Sequence, residues 1–133
     1  MRKELSISTS QNGEFKNITR QVAEIAAESG ISDGMCNIFV PHTTAAVTIN
    51  ESADPAVRKD ILKELDKIVP LRDNYSHSEG NSAAHIKSSM LGVSLNIPVR
   101  GGSLYLGTWQ AVYFCEFDGP RSRKVEVSVF SVR

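Results

Sequence analysis

The sequence predicts an α+β fold: a mostly antiparallel β-sandwich core, jelly-roll-like, with two main helices and one short helix. Three observations carry this. Apolar residues recur at helical spacing early in the chain, at Ile18, Val22, Ile25 and Ala26 and again at Val57, Ile61, Leu62 and Leu65. From residue 93 onward the pattern changes to strict alternation, with Val93, Leu95, Ile97 and Val99 separated by Ser94, Asn96 and Pro98. Turn signals join these later runs, at Gly101-Gly102 and at Asp118-Gly119-Pro120. Hairpin-joined strands with helices grouped early belong to a sheet system covered by helices.

The elements follow in order. Residues 3–10 alternate around Leu5 and Ile7 and predict a half-buried strand, followed by a turn at Gln11-Asn12-Gly13-Glu14. Residues 17–29 predict a helix with Asn17 as N-cap and Gly30 just past its end. Residues 35–40 read as a short buried strand stopped by Pro41, and residues 45–49 as its successor, with His42 on the connection. Asp54-Pro55 has the N-cap and first-position residues of a second helix, whose apolar stripe runs from Val57 through Ile68 and Val69 to Pro70 and is expected to pack on a sheet. Residues 82–91 predict a short helix closed by Gly92. Strands are then expected at 93–100, 103–106, 111–117 and 124–132, the last with Val125, Val127, Val129 and either Phe130 or Val132 inward. The whole of 1–133 reads as one domain, a length that can bury a sizeable core.

Composition narrows the function. Lys+Arg and Asp+Glu are both 15, a balance that argues against a nucleic-acid surface or an anionic membrane as partner. No apolar run approaches the ~20 residues of a membrane span, and Met1-Arg2-Lys3-Glu4-Leu5 lacks the apolar core of a signal peptide. A cytoplasmic protein is the expectation. Cys36 and Cys115 are far apart, with no Cys-x-x-Cys spacing, and are expected to be buried as small hydrophobes.

The candidate chemistry gathers in two stretches. One, residues 77–92, holds His77, Asn81, His85, Lys87, Ser88 and Ser89; the other, residues 41–55, holds His42, Asn50, Glu51 and Asp54. Imidazole is a favoured zinc ligand, and His42, His77 and His85 with Asp54 make a candidate set, although no compact His-x-x-x-His spacing is present. Asn81 or Ser82 at the start of the short helix, with Ser88 and Ser89 on the His85 face, suggests an anion site. Trp109 and Gln110 follow a glycine and suggest an aromatic wall for a planar ligand. Arg121, Arg123 and Lys124 read first as a solvated basic turn.

These motifs resemble the YjbQ family of secondary thiamine-phosphate synthases, over residue 3 to the C-terminus. The resemblance lies in His42-Thr-Thr-Ala-Ala, Asn50-Glu51, Asp54-Pro55, Asn74-Tyr-Ser-His77, His85-Ile-Lys-Ser-Ser-Met-Leu-Gly92 and Gly107-Thr-Trp-Gln110. It implies a homotrimer with a site near a subunit interface, and a coupling of hydroxymethylpyrimidine diphosphate to thiazole phosphate with release of pyrophosphate. In that reading His42, Glu51, His85 and Lys87 are catalytic. Asn50, Asn81, Ser88, Ser89, Trp109, Gln110 and Arg123 bind a small phosphorylated substrate. Loss of pyrophosphate calls for Mg²⁺, whereas the histidines suit zinc better, so a divalent metal of either kind is expected. Two other readings stay open: a metal-dependent hydrolase or lyase acting through the histidines on a small phosphorylated or carbonyl substrate, and a non-enzymatic small-ligand-binding trimer.

Overall fold

Alternation near the C-terminus decides which side of the larger sheet faces inward. Val125, Val127 and Val129 are buried, while Ser122, Lys124 and Phe130 on the same strand are exposed. The computed structural model describes residues 1–132. Its elements are β1 (Arg2–Ser8), β2 (Glu14–Asn17), α1 (Thr19–Glu28), β3 (Asp33–Phe39), β4 (Ala45–Glu51), α2 (Pro55–Ile68), α3 (Ser82–Leu91), β5 (Ser94–Arg100), β6 (Ser103–Leu104), β7 (Gln110–Glu116) and β8 (Ser122–Ser131).

The strands form two sheets. One runs β1-β8-β3-β5-β6 and the other β2-β7-β4, and every pairing is antiparallel. The expected α+β sandwich with three helices is therefore present. Its central core takes Cys36, Ile38, Ile97 and Val127 from the larger sheet, Val47, Val112 and Phe114 from the smaller, and Val22 and Ile25 from α1. The opposite face of the smaller sheet carries a second core, where Ala46, Tyr113 and Cys115 meet Leu65 of α2 and Ala84 of α3. The central strand β7 is thus buried on both faces, which explains its unbroken apolar run, Ala-Val-Tyr-Phe-Cys. Both cysteines are free and buried. Burial pushes the Cys36 thiol up to about 11 and raises that of Cys115 further. At Gly34 an added Cβ would stand 2.2 Å from the Phe130 carbonyl oxygen, so a glycine is required where β3 closes on β8.

Several expectations need correction. The strand β2 has four residues and one buried side chain, Phe15, too short for a period to show. Phe130 and Val132 do not point inward; they are 50% and 54% exposed. Ile18, not Asn17, is the N-cap of α1, although Asn17 Oδ1 still accepts the Thr19 N–H at 3.0 Å. The apolar stripe of α2 is not fully packed. Leu65 is its one buried member within the helix, Val69 is buried just past its end, and Ile68 is 64% exposed, because a three-stranded sheet shared with α3 is too narrow to cover it. Among the described residues no helix is long and apolar enough to cross a membrane.

Candidate functional site

The site begins at the start of α3. Asn81 is the N-cap residue, yet its side chain makes no capping bond. Its Nδ2 donates instead to Asp118 Oδ2 at 2.9 Å, tying α3 to the turn between β7 and β8. A carboxylate can only accept here, so the amide must present its nitrogen, and Asn81 Oδ1 is left buried without a partner among the described residues. His85, one turn into α3, meets His77 from the preceding loop edge to face. The ring centroids are 5.4 Å apart and the planes 88° apart. His77 Nε2 lies 3.9 Å from Glu79 Oε2. His42, between β3 and β4, joins them on an open cleft of about 430 Å³ that Thr43, Thr44, Asn81, Asp118 and Arg121 also line. All three histidines of the chain face this one cleft.

Beneath the cleft lies a buried ionic network. Arg123 Nε donates to Glu116 Oε1 at 2.8 Å, its terminal nitrogen donates to Glu116 Oε2, and the same nitrogen reaches Thr44 Oγ1 at 2.8 Å. Thr9 Oγ1 donates to Glu116 Oε1 at 2.7 Å, and the Asp118 N–H to Oε2 at 3.0 Å. Every oxygen of the carboxylate is satisfied, as burial demands. At the surface of this network His42 Nε2 accepts the Lys124 N–H at 2.9 Å. Burial, and then the Arg123 charge, hold His42 below the usual histidine range, with the Glu116 charge acting the other way. The Lys124 N–H can only donate, so it too favours a bare Nε2.

The remaining predicted residues do not all come to this cleft. Glu51 pairs with Gln110 at one end of the β4–β7 ladder, and Ala45 pairs with Glu116 at the other. Six steps at strand rise separate the ends by about 20 Å. Asn50, Glu51, Asp54, Trp109 and Gln110 therefore form a second patch, remote from the histidines within one chain. Its side chains are locally engaged: Asn50 Oδ1 accepts the Glu51 N–H at 2.7 Å, Asp54 Oδ1 caps α2 through the Ala56 N–H at 2.9 Å, and Gln110 Oε1 accepts the Gly107 N–H at 2.8 Å. Trp109 is 62% exposed.

Four assignments change. Arg123 is not a solvated turn residue: it is buried at the edge of the cleft, where Glu116 and Thr44 take its Nε and one terminal nitrogen. Ser88 is buried and donates to the Ala45 carbonyl at 2.6 Å, fixing α3 on β4. Ser89 bonds back to the His85 carbonyl at 3.0 Å. Lys87 pairs with Asp66 of α2 at 2.5 Å and lies over the Phe117 ring, lining a neighbouring cavity of about 340 Å³ that shares Asn81 and Asp118 with the cleft.

The metal set His42, His77, His85 and Asp54 does not fit one ion within the chain. Asp54 stands at the far end of β4, and His42 already uses Nε2 as an acceptor. Among the described residues no three or more His, Cys, Asp or Glu side chains are grouped to hold an ion. The sequence reading missed Glu116, Asp118 and Glu79. Glu116 had a signal: a lone carboxylate inside the apolar run of β7.

The chain matches the family profile described as "UPF0047 protein YjbQ-like" over residues 3–132. It is 51% identical over 124 residues to "UPF0047 protein YugU" of Bacillus subtilis (strain 168), covering 92% of this chain and 94% of that one. It is 47% identical over 123 residues to "UPF0047 protein MJ1081" of Methanocaldococcus jannaschii, covering 92% and 89%. A crystal structure of a YjbQ/UPF0047 protein from Clostridium acetobutylicum matches with a TM-score of 0.95 at 54% identity, covering 96% of this chain and 99% of that one. A second, from Sulfolobus solfataricus P2 and described as a YbjQ-like protein of unknown function, matches with a TM-score of 0.95 at 35% identity, covering 98% and 96%. These relatives carry a family name and no activity. The expected thiamine-phosphate synthase reaction is corrected accordingly: the relatives' names give the coupling transferase no support, and Lys87 and Arg123, expected to be catalytic and substrate-binding, pair with Asp66 and Glu116 within the chain.

Proposed function

The chain belongs to the UPF0047 YjbQ-like family, and we propose that it is a homotrimeric enzyme of the hydrolase or lyase class whose working site is the histidine cleft. The observation that carries this is the convergence of His42, His77 and His85 on one cleft, with His77 and His85 in edge contact. Imidazole is the side chain best suited to take and return a proton near neutral pH. The substrate class is a small phosphorylated or carbonyl compound, whose oxygens match the donors around the cleft. Zero net charge supports a small substrate rather than a nucleic acid.

The trimer has its own support. The patch of Glu51, Trp109 and Gln110 lies at the wrong end of β4 to serve the cleft of its own chain. Exposed Trp109, Ile68, Leu71 and Met90 give apolar surface for a neighbour to cover. In the proposed assembly one subunit's tryptophan patch faces the next subunit's histidine cleft. A divalent cation would draw no more than two imidazole nitrogens from His77 and His85, so its remaining ligands would come from water, substrate or the neighbouring subunit.

The test is a turnover screen of small phosphate esters and hydroxy- or oxo-acids, run in chelator and again with zinc or magnesium. Turnover by the wild type that falls about 10²–10⁴-fold in His85→Ala supports the cleft as the site. Wild-type turnover retained in both His77→Ala and His85→Ala removes it, and binding without turnover makes the protein a binder. Light scattering should report about three times the chain mass of 14.6 kDa; a monomer defeats the shared site.

A further inference from the structure

His42 stands where a sheet ladder runs out. β3 pairs with β8 as far as Phe39 opposite Glu126. Continuing that register would set Pro41 opposite Lys124, two residues further along. At that position the Lys124 N–H takes the His42 ring instead of a strand carbonyl, 2.9 Å from Nε2. A backbone amide can only donate, so Nε2 is the bare nitrogen, and a neutral ring must carry its proton on Nδ1. Nδ1 has no hydrogen-bond partner among the described residues, and His42 lines the cleft. The cations Arg121 and Arg123 also line the cleft, and Arg123 is held in place by its bonds to Glu116 and Thr44. Those bonds also hold Thr44, two residues from His42, so the buried pair positions the ring.

We propose that His42 serves the cleft as a fixed, neutral hydrogen-bond donor through its Nδ1–H, offered to a phosphoryl or carbonyl oxygen of the substrate, while His77 and His85 exchange protons. This rests on the reading of the cleft as the working site. It assigns the three histidines two different roles. One is orientation and stabilisation of negative charge that develops on an oxygen; the other is acid–base chemistry. It also leaves His42 without a free lone pair, which takes it out of any ligand set.

The experiment is a long-range ¹H–¹⁵N correlation spectrum of the imidazoles in the full ¹⁵N-labelled chain at pH 7, followed by titration with inorganic phosphate. The expected His42 pattern is a protonated Nδ1 and a bare Nε2. A protonated Nε2, or a doubly protonated ring, overturns the proposal. On adding phosphate the His42 Nδ1 signal should move together with those of His77 and His85, and His42→Gln should bind phosphate about tenfold more weakly. Movement of His77 and His85 without His42, or undiminished affinity in a folded His42→Gln, overturns the donor role and leaves the cleft standing. No movement at any of the three histidines removes the cleft reading and this inference with it. The wild-type spectra decide the matter even where the variant fails to fold.

Discussion

Arg123 Nε donates to Glu116 Oε1 at 2.8 Å, and the two side chains are 5% and 0% exposed. The pair joins β7 to β8 across the turn at Asp118, and through Thr44 it also holds the start of β4. Removing one partner leaves a buried charge unpaired. Arg123→Met should therefore lower the unfolding free energy by ~3–5 kcal/mol in urea titrations. The double variant Arg123→Met/Glu116→Leu should be less destabilised than the single one. A double variant worse than Arg123→Met alone would mean that the pair contributes more than its desolvation costs.

Acid should act through the same carboxylate. Burial alone would raise Glu116, but hydrogen bonds from Arg123, the Asp118 N–H and Thr9, with the guanidinium charge, outweigh it and hold the carboxyl below the usual range. The unfolded chain, whose glutamates titrate near ~4.3, then binds the proton more readily than the folded one. This part of the stability is present above that pH and is lost as the pH falls through the folded value. Unfolding free energy measured between pH 6 and pH 3 should decline below about pH 4.3, with a shallower slope in Glu116→Gln. Parallel slopes for the two proteins would show that Glu116 is not the group responsible.

Asp54 is a helix cap and not a partner of the histidines of its own chain. Asp54→Ala should cost about 1 kcal/mol of stability, and Asp54→Asn much less. Phosphate affinity at the cleft should be unchanged in either variant if the assembly is intact. A loss of phosphate binding in Asp54→Asn, with stability retained, would show that this carboxylate takes a direct part in binding at the neighbouring subunit's cleft.

Trp109 is the sole tryptophan and is 62% exposed in the isolated chain. Its fluorescence therefore reads the proposed interface directly. Emission of the concentrated protein should be blue of a solvated indole and should move red on dilution, in step with the fall in mass seen by light scattering. A solvated spectrum from a protein that scatters as a trimer would place the interface elsewhere.

Local patterns carried most of the fold. The boundaries of α3 follow from Ser82 and from Gly92, whose φ of 97° suits glycine. Those of α2 follow from Asp54-Pro55, and the inward face of β8 from its alternating valines. β2 escaped because four residues hold too little periodicity. The openness of the α2 stripe was equally hidden, since apolar spacing says which face of a helix is apolar and nothing of how wide a sheet lies beneath it.

The candidate site was legible as residue types and illegible as partnerships. Sequence alone determined that His42, His77 and His85 end elements or lie beside them, because stops such as Pro41 and turns such as Gly80-Asn81 act within a few residues. Tertiary structure decided that the three share a cleft, that Arg123 turns inward to Glu116, that Ser88 serves Ala45, and that Asp54 and Trp109 stand about 20 Å away along β4. The physical reason is range. Propensities, caps and turns are settled by neighbours in the chain, whereas the bond from Lys124 to His42 spans 82 residues and depends on where one sheet ladder happens to end.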